Sequence, residues 1–258
     1  PDVVIVRAPN LAAPDPGPRA DDVGGTPETL LASSGYDSVL VSAGGVFLRL
    51  DNNLIDRCND PTCSTRTRVY ALSTSGTVSG VSLTDDALAV AVTGAGADSG
   101  GLYCPWFNAP CAIPVSVNNS LWYTTSPVVD ATNLFWVQRS RLSGGGQGPR
   151  LVMTCGRGDC SAPTQIGSGT MVPVFANGSY VLMTQDDTDD PGRTAVVRCP
   201  EGGCGGGSPT ELVGGFSSAP AVVGSGNVVV FSQSDSIYRC DVTGCGGRPT
   251  VIASSRFS

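Results

Sequence analysis

The stretch "SIYRCDVTGCGGRPTVIASS", residues 236–255, places two cysteines on either side of a short Gly-containing turn, between two extended apolar runs. Apolar runs rich in β-branched residues that flank such a turn predict a β-hairpin. The same arrangement occurs four more times upstream, so each cysteine pair marks one copy of a repeat. The pairs are Cys58/Cys63, Cys104/Cys111, Cys155/Cys160, Cys199/Cys204 and Cys240/Cys245.

The spacing of these pairs gives the repeat period. Their first members are separated by 46, 51, 44 and 41 residues, and each unit contains four strand-like runs. Four strands at such a period are typical of a β-propeller blade, and no segment keeps a helical apolar spacing for three turns. We therefore predict an all-β, five-bladed β-propeller over residues 24–258, in which each cysteine pair ends the third strand and begins the fourth strand of a blade.

Two chemistries can explain repeated cysteine pairs. Zinc sites with four thiolates usually combine two CxxC knuckles, and five pairs leave one unmatched. Cysteines facing each other across a tight hairpin are close enough for a disulfide, and closing so short a loop stabilises by roughly 2 kcal/mol. We expect one local disulfide per blade, and hence an oxidising compartment, either extracellular or at the cell surface.

Composition limits the partners. The chain has 15 cationic residues, all Arg, against 22 acids, no His, and a net charge of −7. Because nucleic-acid binding relies on a positive surface, we expect no nucleic-acid partner. No apolar run approaches the roughly 20 residues needed to cross a bilayer, and the N-terminus lacks the pattern of a signal peptide, so no membrane span is expected.

The N-terminal residues 1–23 read as an extension strand followed by a Pro-rich tether. The run "TPETLLASSGYDS", residues 26–38, parallels the last strand-like run at 248–258, so six fourth-strand segments accompany five cysteine pairs. The extra strand either covers a sheet of its own molecule or adds to the sheet edge of a neighbour. In the second case the contact falls on Val3, Val4, Ile5 and Val6, and the chain self-associates as a homo-oligomer or filament.

Few residues suggest other chemistry. The loop "TQDDTDDPGR", residues 184–193, clusters carboxylates that suit Ca²⁺ or simply form an acidic turn, and no other cofactor is expected. Paired carboxylates hydrolyse glycosides, but Asp130 has only Asp85 or Asp86 as a near equivalent in the other units. With no His for a triad, we expect no enzyme. The Ca²⁺ candidates are Asp186, Asp187, Asp189 and Asp190.

The run "SPVVDATNLFWVQ" followed by "CGRGDCSAPTQIG", and the later "IYRCDVTGCGGRPTVIAS", resemble the Cys-hairpin propeller repeats that are abundant in secreted proteins of myxobacteria. The similarity extends over about residues 24–258 through the repeat pattern. It implies a secreted or cell-surface propeller, and it carries no catalytic residues that can be transferred to this chain.

These observations lead to a functional expectation: a non-catalytic extracellular structural or adhesive propeller, with the N-terminal strand assembling subunits into a fibre. The alternative is a carbohydrate-binding propeller whose exposed aromatics contact glycans. Trp106, Phe107 and Trp122 are the candidates for that role, although hairpin aromatics also commonly cover a neighbouring sheet edge.

Overall fold

The protein is described by a computed structural model, in which every regular element is a β-strand and no described segment forms a helix that could cross a membrane. The chain divides into two compact units, residues 1–73 and 74–258. The described residues are 3–7, 28–33, 38–42, 45–50, 54–60, 63–71, 77–84, 87–93, 101–103, 115–116, 122–141, 147–157, 159–186, 192–204, 208–233, 236–245 and 249–254.

The first unit contains an antiparallel ribbon and one four-stranded antiparallel sheet. The ribbon pairs β1 (Val3–Arg7) with β2 (Glu28–Ser33), so the strand considered for donation has a partner strand in its own chain. The first sheet consists, in chain order, of β3 (Ser38–Ser42), β4 (Gly45–Leu50), β5 (Leu54–Cys58) and β6 (Arg66–Ala71).

The described part of the second unit forms four antiparallel sheets, each of four strands in chain order. The second sheet has β7 (Thr77–Leu83), β8 (Leu88–Thr93), β9 (Gly101–Tyr103) and β10 (Val115–Ser116). The third has β11 (Trp122–Val129), β12 (Asn133–Arg141), β13 (Gln147–Gly156) and β14 (Thr164–Ser168). The fourth has β15 (Val172–Ala176), β16 (Tyr180–Asp186), β17 (Thr194–Pro200) and β18 (Thr210–Phe216). The fifth has β19 (Val222–Ser225), β20 (Val228–Gln233), β21 (Ser236–Asp241) and β22 (Thr250–Ser254).

Consecutive sheets of the second unit meet along their first strands. β11 contacts β7 and β8, β15 contacts β11 and β12, and β19 contacts β15. Two glycines allow this close approach: a Cβ on Gly80 would lie 2.6 Å from Pro127 Cδ, and a Cβ on Gly224 would lie 2.7 Å from the Phe175 ring. Such distances are shorter than van der Waals contact, so a larger residue at either glycine would force the two sheets apart.

The second strands of the third and fourth sheets, β12 and β16, are apolar on both faces because a neighbouring sheet covers each face. Trp136 of β12 packs against Ala87, Ala89 and Ala91 of the second sheet, whereas the adjacent Phe135 packs toward the fourth sheet. The large Trp136 side chain thus faces three small ones, which lets the sheets interdigitate at ordinary packing density. This burial on both faces explains why such strands read as continuous apolar runs and not as alternating ones.

Four of the five cysteine pairs are disulfides: Cys58–Cys63, Cys155–Cys160, Cys199–Cys204 and Cys240–Cys245. The fifth pair, Cys104 and Cys111, lies outside the described residues. The expectation that the second cysteine begins the fourth strand was wrong, because β14 and β22 begin several residues after Cys160 and Cys245. The turn alone brings the Cα atoms of Cys155 and Cys160 to 5.0 Å, so the bridge closes within the turn, before the chain re-enters the sheet.

Candidate functional site

The turns between first and second strands share a side-chain cap in three consecutive sheets. The backbone N–H of Thr84, Asp130 or Asn177 donates to the carbonyl three residues later, and the side-chain oxygen of the same residue accepts from the backbone there. Asx and Ser/Thr side chains favour such turns because they satisfy local N–H groups. The repeat therefore fixes a polar residue at this end of each sheet, and in the third sheet that residue is an acid.

A second acid comes from the neighbouring sheet. Glu201 lies in the turn closed by Cys199–Cys204, where its backbone N–H donates to Ser179 O at 3.2 Å. Asn133, the first residue of β12, donates from Nδ2 to Glu201 Oε2 at 2.7 Å. This hydrogen bond joins residues that are 68 positions apart in the chain and links the third sheet to the fourth.

Asp130 is buried with only 4% of its surface exposed, and one of its carboxyl oxygens is fully used by the turn. Oδ1 accepts from the backbone N–H groups of Thr132, at 2.8 Å, and Asn133, at 2.7 Å. Asp130 Oδ2 and Glu201 Oε1 are both buried and have no other hydrogen-bond partner, so a hydrogen bond between the two carboxyl groups requires a proton on one of them. Two carboxylates facing each other in this way share a proton, because ionising both places like charges together.

The proton belongs mainly to Glu201. Burial, reinforced by the hydrogen bond and the negative charge of Asp130, raises the pKa of Glu201 to about 7. Burial alone would also raise the pKa of Asp130, but hydrogen bonds from Glu201 and from the backbone of Thr132 and Asn133 outweigh it and lower that pKa. At neutral pH the pair therefore consists of an ionised Asp130 and a Glu201 close to its titration point.

A cation, Arg157, holds the backbone that carries one acid of the pair. Arg157, in the turn closed by Cys155–Cys160, donates from Nη1 to the carbonyls of Asp130, at 2.9 Å, and Ala131, at 3.1 Å. Its own backbone N–H donates to Thr132 O at 2.8 Å, which anchors the turn. These contacts position the backbone that carries Asp130.

Glu201 also forms part of the wall of a cavity of about 310 Å³ between the third and fourth sheets. The other walls are small or polar, and Thr154 Oγ1 within them is buried without a hydrogen-bond partner. Of the described lining residues, Glu201 is the one that can carry charge. The lining includes Asn133, Thr154, Gly156, Ala162, Thr164 and Glu201.

Only some of the predicted site residues lie among the described residues. Asp186, at the exposed end of β16, donates its backbone N–H to Thr170 Oγ1 at 3.0 Å, whereas Asp187, Asp189 and Asp190 lie outside the described residues. Of the glycan-contact candidates, Trp122 is the first residue of β11. The other two, Trp106 and Phe107, lie outside the described residues. Val3, Val4, Ile5 and Val6 lie on β1. Among the described residues no cluster of three or more His, Cys, Asp or Glu side chains is placed to hold a metal.

The sequence pattern did not indicate the pair of Asp130 and Glu201, because the partner of Asp130 is not at the equivalent position of another unit but in a different element of the next unit. The available signal was the acid in "CPEGGC", residues 199–204. The corresponding position, two residues after the first cysteine, holds Arg157 in the third sheet and Val242 in the fifth, although the first sheet also has an acid there, Asp60.

No protein-family model matches the sequence, and no curated protein is significantly similar to it. Solved structures are similar in fold. The tricorn protease matches with a TM-score of 0.60 at 10% identity, over 90% of this chain and 28% of that one. Oligopeptidase B from Trypanosoma brucei matches with a TM-score of 0.53 at 14% identity, over 87% of this chain and 35% of that one. A structure from a study of two prolyl endopeptidases matches with a TM-score of 0.50 at 12% identity, over 82% of this chain and 31% of that one.

These three are β-propeller proteases, and identities this low establish a similarity of fold alone. This chain spans about a third or less of the length of each. The expectation of a non-catalytic structural or adhesive component, with its fibre and glycan-binding variants, is corrected by this finding, because the similar folds belong to peptidases.

Proposed function

We propose that this chain is a five-bladed β-propeller that serves a secreted peptidase-type protein by binding polypeptide substrate, and that it performs no hydrolysis itself. The observation that carries the proposal is the fold similarity, which takes in 82–90% of this chain but only 28–35% of three peptidase chains. A chain of this size corresponds to one part of such an enzyme.

The blade arrangement is supported by the repeat itself. Five cysteine-marked units match five four-stranded sheets, and in residues 74–258 each sheet packs against the next along its first strand. Radial repetition of four-stranded sheets is the defining feature of propellers. The four disulfides support a secreted protein, since such bonds persist in oxidising compartments.

The division of labour is supported by the side chains available. A Ser–His–Asp or Cys–His arrangement needs an imidazole as general base, and the chain contains no His. Substrate binding, by contrast, needs only a concave surface with a few polar groups, such as the cavity beside Glu201. The chain therefore has the means to hold a polypeptide but lacks the imidazole for these ways of cleaving one.

The test uses the purified full chain with casein, which is largely unfolded, and with succinylated casein, in which the amines are blocked. We expect binding of both polypeptides by light scattering or calorimetry, with no new fragments by mass spectrometry after prolonged incubation. Absence of binding to either polypeptide contradicts the substrate-binding role. Cleavage by the purified chain contradicts the division of labour, and if Glu201→Gln abolished that cleavage the carboxyl pair would be its source.

A further inference from the structure

We propose that the cavity between the third and fourth sheets binds a primary ammonium group of a polypeptide, with Glu201 and Thr154 as its acceptors and the negative charge of Asp130 behind Glu201. The inference rests on the proposed function, because it specifies which chemical group of a bound polypeptide the chain recognises. It begins from two residues of the cavity wall: Thr154 Oγ1 is buried without a hydrogen-bond partner, and Glu201 shares a single proton with the buried Asp130.

The chemistry of these oxygens selects the ligand. An unpaired buried acceptor costs free energy, and two facing carboxyl groups add repulsion whenever both ionise. A primary ammonium offers three N–H donors, no acceptor and one positive charge, so it can donate to Glu201 and Thr154 and offset the negative charge of the carboxyl pair. An anion would add to the repulsion, and an apolar ligand would leave Thr154 Oγ1 unpaired.

A metal ion fits the site less well than an ammonium. Ca²⁺ takes 6–8 oxygen ligands. Asn133 Nδ2 already donates to Glu201 Oε2, and two backbone N–H groups with the Thr132 hydroxyl occupy Asp130 Oδ1. The one remaining oxygen of each carboxyl group and Thr154 Oγ1 are fewer ligands than such a cation takes.

No lysine side chain of this sequence can supply the ammonium, because the sequence contains no lysine. A lysine side chain and the N-terminal amine of a peptide both present this group. The cavity volume of about 310 Å³ holds the group with several methylene carbons or a short stretch of backbone, and its Gly, Ala and Thr walls leave room for either.

Binding should release a proton. Without ligand, Asp130 and Glu201 share a proton, and the nearby Arg157 donates to the backbone carbonyls of Asp130 and Ala131. An ammonium stabilises the doubly ionised pair, so the proton leaves on binding. Affinity for a lysine side-chain ammonium should therefore rise as pH increases from 6 to 8, since the proton held by Glu201 competes with the ligand in that range, whereas an α-ammonium begins to lose its own proton there.

Three small probes distinguish the two sources of the ammonium. Nα-acetyl-lysine amide presents only the side-chain ammonium, Nε-acetyl-lysine amide only the α-ammonium, and the doubly acetylated compound neither. Titration calorimetry on the full chain should detect binding of at least one singly acetylated compound and none of the third. The apparent enthalpy of binding should change with the ionisation enthalpy of the buffer, because the buffer takes up the released proton.

Variants test the assigned acceptors. Glu201→Gln imitates the protonated carboxyl and should weaken binding at least tenfold. The control Glu211→Gln removes a charge of the same type at an exposed position of β18 and should leave binding unchanged. If Glu201→Gln melts well below the parent, Thr154→Val provides the test, because it deletes one acceptor with little change of shape. That variant should weaken binding severalfold.

The proposal is overturned if the doubly acetylated compound binds as well as the others, if no singly acetylated compound binds, or if both variants bind like the parent. Displacement of the lysine compound by millimolar Ca²⁺, with tighter Ca²⁺ binding to the parent than to Glu201→Gln, would replace the ammonium site with a metal site. Binding of succinylated casein without any ammonium binding would overturn this inference while leaving the proposed function intact.

Discussion

The junctions on the two sides of the fourth sheet have the same backbone framework and opposite chemistry at their disulfide-closed turns. Between the third and fourth sheets, which we call the acidic seam, Glu201 meets Asp130 and Asn133. Between the fourth and fifth sheets, the apolar seam, the equivalent position holds Val242, which is fully buried. Both residues donate their backbone N–H to the preceding turn of their own sheet, Glu201 to Ser179 O and Val242 to Asn227 O.

The rest of each seam follows the same contrast. Asn177 takes the place of Asp130 in the fourth sheet, and its amide donates to Gly226 O at 3.0 Å. Arg198 donates to Val242 O at 3.1 Å and lies 5.0 Å from the centroid of the Tyr180 ring. The repeat therefore specifies the backbone hydrogen bonds and the turn shape, whereas a single side chain in each turn decides whether a seam carries charge.

The largest effect is expected from Phe231→Ala in the apolar seam. Phe231 is 3% exposed, lies edge-on to Phe216 and stacks on Tyr238. Removing a buried aromatic leaves a cavity and typically costs about 3–5 kcal/mol of unfolding free energy. Urea denaturation should show this loss, and Ser232→Ala, at an exposed position on the same strand, should change stability by less than about 0.5 kcal/mol. A loss no larger than that of the Ser232 variant would contradict the packing described for this seam.

Removing either of two disulfides should lower the stability of the fold, but only one of the removals should also change the titration of Glu201. Replacing either Cys199 and Cys204 or Cys240 and Cys245 by Ser should cost about 2 kcal/mol, because both turns close loops of equal length. Only the first double variant should also alter the titration of Glu201, since that turn holds the carboxyl against Asp130. NMR titration of the Glu201 side-chain carboxyl measures this, and identical titrations in both variants would break the proposed link between turn and seam.

The acidic seam should make stability depend on pH. The folded pKa of Glu201, about 7, is raised above its ordinary value near 4.5, so the folded state holds an extra proton between these values and stability falls as pH rises through them. Between pH 5 and 8 the loss should be on the order of 1 kcal/mol, because Glu201 is partly exposed and solvent screens the charge. Asp130 acts oppositely: its lowered pKa stabilises the fold above its unfolded pKa, and that contribution is lost as acid protonates it.

The variant Glu201→Gln should flatten this dependence between pH 5 and 8, because it cannot ionise. Thermal unfolding of parent and variant across that range is the measurement. A parent whose stability is constant or rises over the interval would show that the carboxyl groups do not share a proton.

The smallest effect concerns the two bridging amides. Asn133→Ala removes a donor from Glu201 Oε2, and Asn177→Ala removes a donor from Gly226 O, each at a cost of about 0.5–1.5 kcal/mol. The first substitution should also raise the pKa of Glu201 further, because the Asn133 amide favours the ionised carboxylate. The second should shift that pKa less, because Asn177 acts on Glu201 through the backbone of its turn and makes no side-chain bond to it in the way Asn133 does. Equal shifts in both variants would mean that the seams are not independent.

Much of the fold could be predicted because its signals are local. The four-strand repeat, the all-β class and the turn-closing disulfides all follow from short apolar runs and cysteines five positions apart. The start of the fourth strand was misplaced because a Cys-x4-Cys turn closes on its own geometry, independently of where pairing resumes. The functional expectation failed for a different reason: a repeat pattern determines a scaffold, and the same scaffold occurs in peptidases.

By itself the sequence determined the elements: which residues form strands, where chains turn, and which cysteines can meet, since these depend on neighbours a few residues apart. The tertiary structure alone decided that Asp130 would face Glu201, because the two acids lie in different sheets and in different kinds of turn. It also decided their protonation, which depends on burial between two sheets and on a donor, Asn133, that is 68 residues from Glu201. The free energy of a charge is set by everything that surrounds it in space, and only packing brings those surroundings together.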